Sequence, residues 1–305
     1  MIGKLIIAGG SGLIGKRLIT HLSPSCTDIV VLSRSESKDF KTHRRVHWDG
    51  AHLGEWSKEF KDADVLINLS GKSIQCRFTA ANKKLLLDSR ISSTRVLSDA
   101  ILFSGSKIHT WLNASGAAIY PQRFEEAVDE SVQEVGKGFL AELSQDWEAE
   151  FYRSEMNLRK IALRITPVLD EEEGALPPLK KICSLRLGGA QGSGKQMMSW
   201  IHQEDFCRAI SFLIKHTALE GPVNLSSPDA RSNEEFMATL RNSMDISFGL
   251  PAPKLAIELG SIFSGVDPSL ILDSSFVAPR KLLEADFRFT FPKLEAAFAD
   301  ILNEG

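Results

Sequence analysis

Residues 5–19 read LIIAGGSGLIGKRLI. Leu5–Ala8 is a short continuous apolar run, the pattern of a strand buried on both faces. Leu13–Leu22 then repeats its apolar residues at helical spacing. Gly9, Gly10, Gly12 and Gly15 lie where the two meet. They satisfy Gly-x-Gly-x-x-Gly from Gly10 and the looser Gly-x-x-Gly-x-x-Gly from Gly9. One glycine makes the tight turn, one lets backbone approach a pyrophosphate, and one lets the helix pack close to the strand. The helix start then presents free N–H groups and a partial positive charge to phosphate. The stretch therefore reads as a dinucleotide cradle, with Gly9, Gly12, Leu13, Ile14 and Gly15 as the expected contacts.

Outward from this stretch, apolar runs at Ile29–Leu32, Asp64–Leu69, Thr110–Asn113 and Ala162–Ile165 alternate with helical segments, the longest over Ala80–Phe103. Such alternation predicts βαβ units in an α/β fold, a Rossmann-like doubly wound parallel sheet. The pattern changes near residue 170. DEEEGALPPLKK carries an acid run, a glycine and two prolines that break regular structure, and RLGGAQGSGKQ is a second glycine-rich loop. Residues 1–169, with 198–226 returning to them, are read as the nucleotide-binding domain. Residues 170–197 and 227–305 are read as a smaller C-terminal substrate-binding region, with a helix capped near Ser232 or Asn233 and a short strand at Phe287–Phe291.

The chain has 305 residues, 43% hydrophobic and 25% charged, with a net charge of −3. That balance gives no electrostatic reason to expect nucleic acid or an anionic membrane as partner. Its four cysteines are far apart, which fits a reducing compartment and neither a zinc site nor a disulfide frame. No leader peptide and no apolar span of membrane length is read, so a cytoplasmic protein is expected.

An NAD site usually places an acid at the tip of the second strand, to bond the ribose 2′-hydroxyl. Here that tip is Ser33-Arg34-Ser35, with no acid before Glu36. An arginine flanked by hydroxyls suits a 2′-phosphate, so NADP(H) is expected over NAD(H). The other reading of Arg34 is a solvated loop residue.

The segments AGGSGLIG, INLSGKSI, LDSRISSTRVL, LAELSQDWE, LGGAQGSGKQMMSWIHQEDF and KLLEADFRFTFPKLEAAF resemble, in order, the atypical extended short-chain dehydrogenase/reductase family. Its members are NAD-dependent epimerase/dehydratase-like proteins with a distinctive C-terminal extension. The resemblance spans essentially the whole chain. It implies cofactor contacts at Leu69, Ser70 and Gly71, at Ser33 and Arg34, at Arg90 on a helix facing the cofactor, and at Val168 near the nicotinamide. Arg90 alone would otherwise read as an exposed helix residue. Asp49 suits either the adenine or the cap of a turn.

Ordinary members of that superfamily use a serine with a Tyr-x-x-x-Lys pair, whose lysine lowers the tyrosine pKa for proton exchange. This chain has two tyrosines, Tyr120 and Tyr152, followed four residues on by Phe124 and Met156. By the resemblance, Phe139 and Leu143 stand near the tyrosine and lysine positions, and neither can exchange a proton. Ser115 falls where the superfamily keeps its serine, although a small residue packing a strand end reads equally well. Tyr120 is the other candidate, a phenol expected to titrate near its reference value unless a cation helps; Pro121 follows it where relatives often have glycine.

No metal site is expected. His202, Glu204 and Asp205 lack a zinc-ligand spacing and suit a helix start, and His43 and His47 lie in KTHRRVHW, which reads as a loop entering a strand. GAQGSGKQ lacks the phosphate-loop order because Gln196 follows Lys195, although Lys195 could meet an anionic substrate. Glu171–Glu173 read as a solvated loop, and Trp147 and Trp200 as core. The expectation is an NADP(H)-binding oxidoreductase or epimerase-like enzyme without the Tyr-x-x-x-Lys pair, taking a small-molecule substrate in a cleft between the two regions. The alternative is a non-catalytic NADP(H)-binding redox sensor or regulator. Oligomeric state is open, with a homodimer suggested only by analogy.

Overall fold

A computed structural model describes residues 1–36 and 38–303. In chain order the first half contains β1 (Ile2–Ala8), α1 (Leu13–Leu22), β2 (Cys26–Ser33), β3 (Lys38–Asp39), β4 (Arg44–His47), β5 (Val65–Asn68), α2 (Ala80–Phe103) and β6 (Thr110–Gly116). Then follow α3 (Phe139–Tyr152), β7 (Arg159–Ile165), β8 (Val168–Leu169), α4 (Leu176–Ser184), β9 (Met197–Met198), β10 (Ile201–His202), α5 (Gln203–Lys215) and β11 (Gly221–Leu225). The chain ends with β12 (Arg231–Ser232), α6 (Asn233–Ser243), α7 (Lys254–Ser264), α8 (Ser269–Leu272), α9 (Arg280–Glu284) and α10 (Leu294–Asn303).

The main sheet runs β11-β7-β6-β5-β1-β2-β4-β3, parallel throughout except for the edge pair β3–β4. The continuous apolar runs have a direct cause. Leu5 and Ile7 face a core shared with Leu18 of α1 and Ile210 of α5, whereas Ile6 and Ala8 face Leu97 of α2 and Phe151 of α3. With helices on both faces, neither side of the strand can be polar. From β1 the chain winds outward through β2 and β4, then returns to β5 and winds the other way. The carboxyl ends of β1 and β5 therefore form the switch point, where such sheets bind ligands. The glycine loop follows β1 there.

A smaller core joins α4, α6 and α10 through Leu176, Phe236, Leu240 and Phe298, with Trp200 and Leu169. Ser232 caps α6, its hydroxyl accepting from Glu235 N while the Glu235 carboxylate accepts from Ser232 N. Two expectations change in this region. Pro177 and Pro178 do not break structure but occupy the first turn of α4, where no backbone donor is needed. Phe287–Phe291 is not a strand, because its N–H groups have another acceptor. Thr290 N and Phe291 N donate to the two carboxylate oxygens of fully buried Asp205, at 2.7 and 2.8 Å. Among the described residues no helix is long and apolar enough to cross a membrane, and no cluster of His, Cys, Asp or Glu could hold a metal ion.

Candidate functional site

The glycines divide into two kinds. Gly9 has φ +77°, and a Cβ there would lie 2.7 Å from Ser70 N, so glycine lets the ends of β1 and β5 meet. A Cβ on Gly15 would lie 2.4 Å from Gly10 Cα, so Gly15 lets α1 fold back against the loop. Gly12 differs. Its backbone is extended, and a Cβ there would meet nothing within 4 Å. Gly12 is also the N-cap of α1, with no side-chain cap and no acid in the first turn. The N–H groups of that turn, which include Leu13 and Ile14, thus have no side-chain cap, and the space beside Gly12 is unfilled. The side chain of Leu13 lies outside the described residues.

Beside Gly71, just beyond the end of β5, lies an arginine without a counter-ion among the described residues. Arg90 of α2 is only 9% exposed. Its Nη1 donates to Leu86 O at 3.0 Å, and its guanidinium lies 5.0 Å from the Trp147 ring centroid. Trp147 is therefore more than core packing: it is the platform under a buried cation, and its own N–H donates to Thr94 Oγ1 at 2.9 Å. No carboxylate pairs with Arg90 among the described residues. Burial pulls its pKa down to about 10, which leaves the group charged at neutral pH. A Cβ on Gly71 would lie 3.2 Å from its Cζ, so glycine there leaves room for the guanidinium. Beside it, Ser70 N donates to Asn68 Oδ1 at 3.0 Å while Ser70 Oγ is buried without a partner. A cradle open at Gly12, an unpaired cation and an orphan hydroxyl converge on the switch point. These residues fit a dinucleotide diphosphate.

At the tip of β2, Ser33 is buried and its Oγ accepts from Ser35 N at 3.2 Å. Arg34 is exposed and has no partner among the described residues. Asp49 caps a turn, accepting from Ala51 N, His52 N and His52 Nδ1 at 2.7 to 2.9 Å; these bonds pull its pKa down to about 2. Val168 is half-buried in the short parallel pair β8–β10, opposite Ile201. The segment after Gly71 is tied to the C-terminal region. Arg77 Nη1 donates to Ser261 Oγ at 3.3 Å, Phe78 N to Asp267 Oδ2 at 3.1 Å, and Gln75 Nε2 to Gly174 O at 2.9 Å.

Ser115 and Tyr120 belong to one buried network, joined through two residues that the sequence did not single out. Ser115 Oγ donates to Glu148 Oε1 at 2.7 Å. Arg164 grips the same carboxylate with Nε on Oε1 and Nη2 on Oε2, both at 2.8 Å. Arg164 Nη1 donates to Tyr120 OH at 2.8 Å, and that hydroxyl donates to Asn224 Oδ1 at 2.9 Å. A cation does therefore stand beside Tyr120. Burial nevertheless outweighs it and raises the phenol pKa above its ordinary value. Burial also opposes the Arg164 charge, but the Glu148 hydrogen bonds and charge outweigh it and hold that pKa up. Phe139, at the expected tyrosine position, opens α3 and packs on Phe78 at 5.0 Å between centroids; Leu143 is buried.

Other sequence expectations resolve as structure. His202 caps α5, its Nδ1 accepting from Glu204 N at 3.1 Å, and Glu204 and Asp205 lie in the first turn. Asp170 and Glu172 are not simply solvated but hold Arg17 of α1, each at 3.2 Å, and Glu171 pairs with Lys180 at 2.7 Å. In the second loop Gly189 admits other protein backbone: a Cβ there would lie 2.5 Å from Gly249 O. Lys195 is exposed.

The profile of the NAD dependent epimerase/dehydratase family matches residues 5–225. The chain belongs to this family. A domain of unknown function, DUF1731, matches residues 252–301 and accounts for the C-terminal extension. An epimerase family protein of Staphylococcus haemolyticus is 31% identical over 304 residues, 98% of this chain and 99% of the relative. The crystal structure of human epimerase family protein SDR39U1 (isoform 2) with NADPH is 25% identical, with a TM-score of 0.85 over 99% of this chain and all of that one. A nucleoside-diphosphate sugar epimerase structure from Corynebacterium glutamicum is 27% identical, with a TM-score of 0.79 over 99% of this chain and 58% of that one. The family architecture is NAD(P)-dependent and Rossmann-like. The Bordetella bronchiseptica enzyme WbmG, crystallised with NAD, shares the fold at 14% identity with a TM-score of 0.75.

Proposed function

We propose that this chain is an NADP(H)-binding oxidoreductase or epimerase-like enzyme that works without a tyrosine–lysine pair. The observation that carries the reading is Arg90, a buried guanidinium that has no carboxylate partner among the described residues and lies against Gly71 at the end of β5. An unpaired buried charge is costly, and an anion at the switch point removes that cost. The α1 N–H groups, Ser70 and Arg90 would hold the diphosphate, and Gly9, Gly15 and Gly71 leave it room. Leu69 and Val168 would bound the nicotinamide end. Arg34, exposed beside two serines and without a partner among the described residues, suits the 2′-phosphate, and the human relative SDR39U1 was crystallised with NADPH.

The nicotinamide supplies hydride exchange when bound. Ser115, at the carboxyl end of β6, would meet a substrate oxygen. Tyr120 is placed to hold Arg164 rather than to exchange a proton, because its hydroxyl is enclosed by Arg164 and Asn224. That enclosure also favours the second reading, an NADP(H)-binding regulator whose site no longer turns over.

Titration of the protein with NADPH and NADH, followed by nicotinamide fluorescence, tests the binding. NADPH is expected to bind at least tenfold more tightly, and Arg34→Ala to erase most of that difference. Equal affinities, or a preference that survives Arg34→Ala, reject the NADP(H) assignment. A change in nicotinamide absorbance, with NADP+ and hydroxyl substrates or with NADPH and carbonyl substrates, separates enzyme from regulator, which binds the nucleotide without turning it over.

A further inference from the structure

The chemistry of the Ser115 hydroxyl is settled by its neighbour. A hydroxyl carries one proton and two lone pairs, and a carboxylate oxygen only accepts. At 2.7 Å from Glu148 Oε1, the single proton of Ser115 is committed to Glu148. Glu148 cannot turn away, because both its oxygens are also held by Arg164. Arg164 is fixed in turn by Tyr120 OH, and its guanidinium lies 4.8 Å from the Tyr120 ring centroid. The pair is enclosed, each side chain being 11% exposed. Ser115 Oγ receives no hydrogen bond from any described group.

Ser115 is buried, 4% exposed, at the edge of the sheet where such folds bind ligands. The β5–β6 ladder ends at Asn68–Asn113, so Ser115 lies two residues beyond it, at the carboxyl edge of the sheet. Asn68 leads directly to Ser70 and Gly71 of the cofactor cleft.

We infer that Glu148 and Arg164 fix Ser115 as a hydrogen-bond acceptor, so that this position takes a substrate bearing a hydroxyl rather than a bare carbonyl. A substrate O–H donates to the free lone pairs of Oγ. A carbonyl oxygen offers no proton, and placing it there sets two acceptors together unless Ser115 gives up its bond to Glu148. Ser115 would thus touch substrate, with Glu148 and Arg164 as positioning residues. The inference rests on the cleft being the cofactor site, and it adds the polarity of the group the site recognises.

The test uses the full-length protein saturated with NADPH and two small probes that NADPH does not reduce. Cyclohexanol donates a hydrogen bond, and N-methyl-2-pyrrolidone only accepts. Dissociation constants come from ligand-observed NMR. NADPH binding is measured first, so failure of the cofactor assignment is seen separately. The native protein is expected to favour cyclohexanol, and Ser115→Ala to lose that preference. Glu148→Gln supplies an N–H where only an acceptor stood. Glu148→Leu/Arg164→Met removes the pair at similar volume and leaves Ser115 free to donate. In each, the ratio of the two constants is expected to shift at least tenfold toward the pyrrolidone. A purely structural role for the pair would weaken both probes together. A ratio unchanged in both variants, a native preference for the pyrrolidone, or binding of neither probe to the NADPH-loaded protein overturns the inference.

Discussion

Glu148 of α3 and Arg164 of β7 form a two-pronged ion pair at 2.8 Å that sits under the end of β6 and joins Ser115 to Tyr120. Replacing one member leaves the other buried and charged. Glu148→Ala is expected to cost about 3–5 kcal/mol, the range for an orphaned buried charge. Glu148→Leu/Arg164→Met removes both charges and is expected to recover most of that loss. Urea denaturation of the three proteins checks this. A double variant no more stable than Glu148→Ala would mean that geometry, not charge pairing, holds α3 to the sheet.

The glycines of the first loop are expected to separate by function. Gly12→Ala has open space for its Cβ and an extended backbone that alanine adopts, so it should lower stability by about 1 kcal/mol or less. Its methyl enters the volume assigned to the diphosphate, so NADPH affinity should fall at least tenfold. Gly9→Ala meets Ser70 backbone at 2.7 Å with φ +77° and should cost about 1–3 kcal/mol. Thermal melts paired with NADPH titration distinguish the two. Parallel losses of stability would remove the case for a ligand at Gly12.

The loop was legible in the sequence because both kinds of glycine leave the same local mark, a strand, a turn and a helix start. The sheet was legible because β1, β2 and β5 are covered on both faces and so read as unbroken apolar runs. The Glu148–Arg164 pair was not singled out. Its members lie 16 residues apart on different elements, and their meeting depends on how α3 packs on the sheet. One signal was available: an arginine inside a buried strand, Ala162–Ile165, must find a partner. Phe287–Phe291 misled for the opposite reason. Its aromatic alternation suits a strand, but the deciding acceptor is Asp205, more than 80 residues earlier in the chain. Arg90 could be placed on its helix but not known to be buried, since that depends on Trp147 arriving from α3.

Arg90→Met is expected to affect the free and bound protein oppositely. In the free protein the guanidinium is desolvated without a counter-ion, so an apolar side chain of similar length should leave stability unchanged or raise it by about 1 kcal/mol. NADPH affinity should fall at least tenfold, because a charge-assisted hydrogen bond is lost. Denaturant melts with and without NADPH read both effects. A variant less stable without ligand but unimpaired in binding would make Arg90 a structural residue.

His202 gives the fold a pH dependence of known sign. Burial lowers its pKa below 6.5, although Asp300, Asp205 and Asp170 pull it the other way. Nε2 lies 3.3 Å from Asp300 Oδ2 without the alignment of a hydrogen bond, so the carboxylate only partly offsets the burial. The folded protein therefore prefers neutral imidazole, while the unfolded chain takes up a proton near pH 6.5. Stability from this site is complete above that value and is lost as pH falls from 6.5 toward the folded pKa, with a slope of at most about 1.4 kcal/mol per pH unit. His202→Asn keeps an acceptor for Glu204 N and removes the titration. His21 and His43, whose pKa values burial also lowers, are common to both proteins and cancel in the difference. Denaturation of the two proteins between pH 5 and pH 8 is expected to show the native protein losing ground to the variant as pH falls. Parallel curves would mean that His202 titrates alike in the folded and unfolded chain.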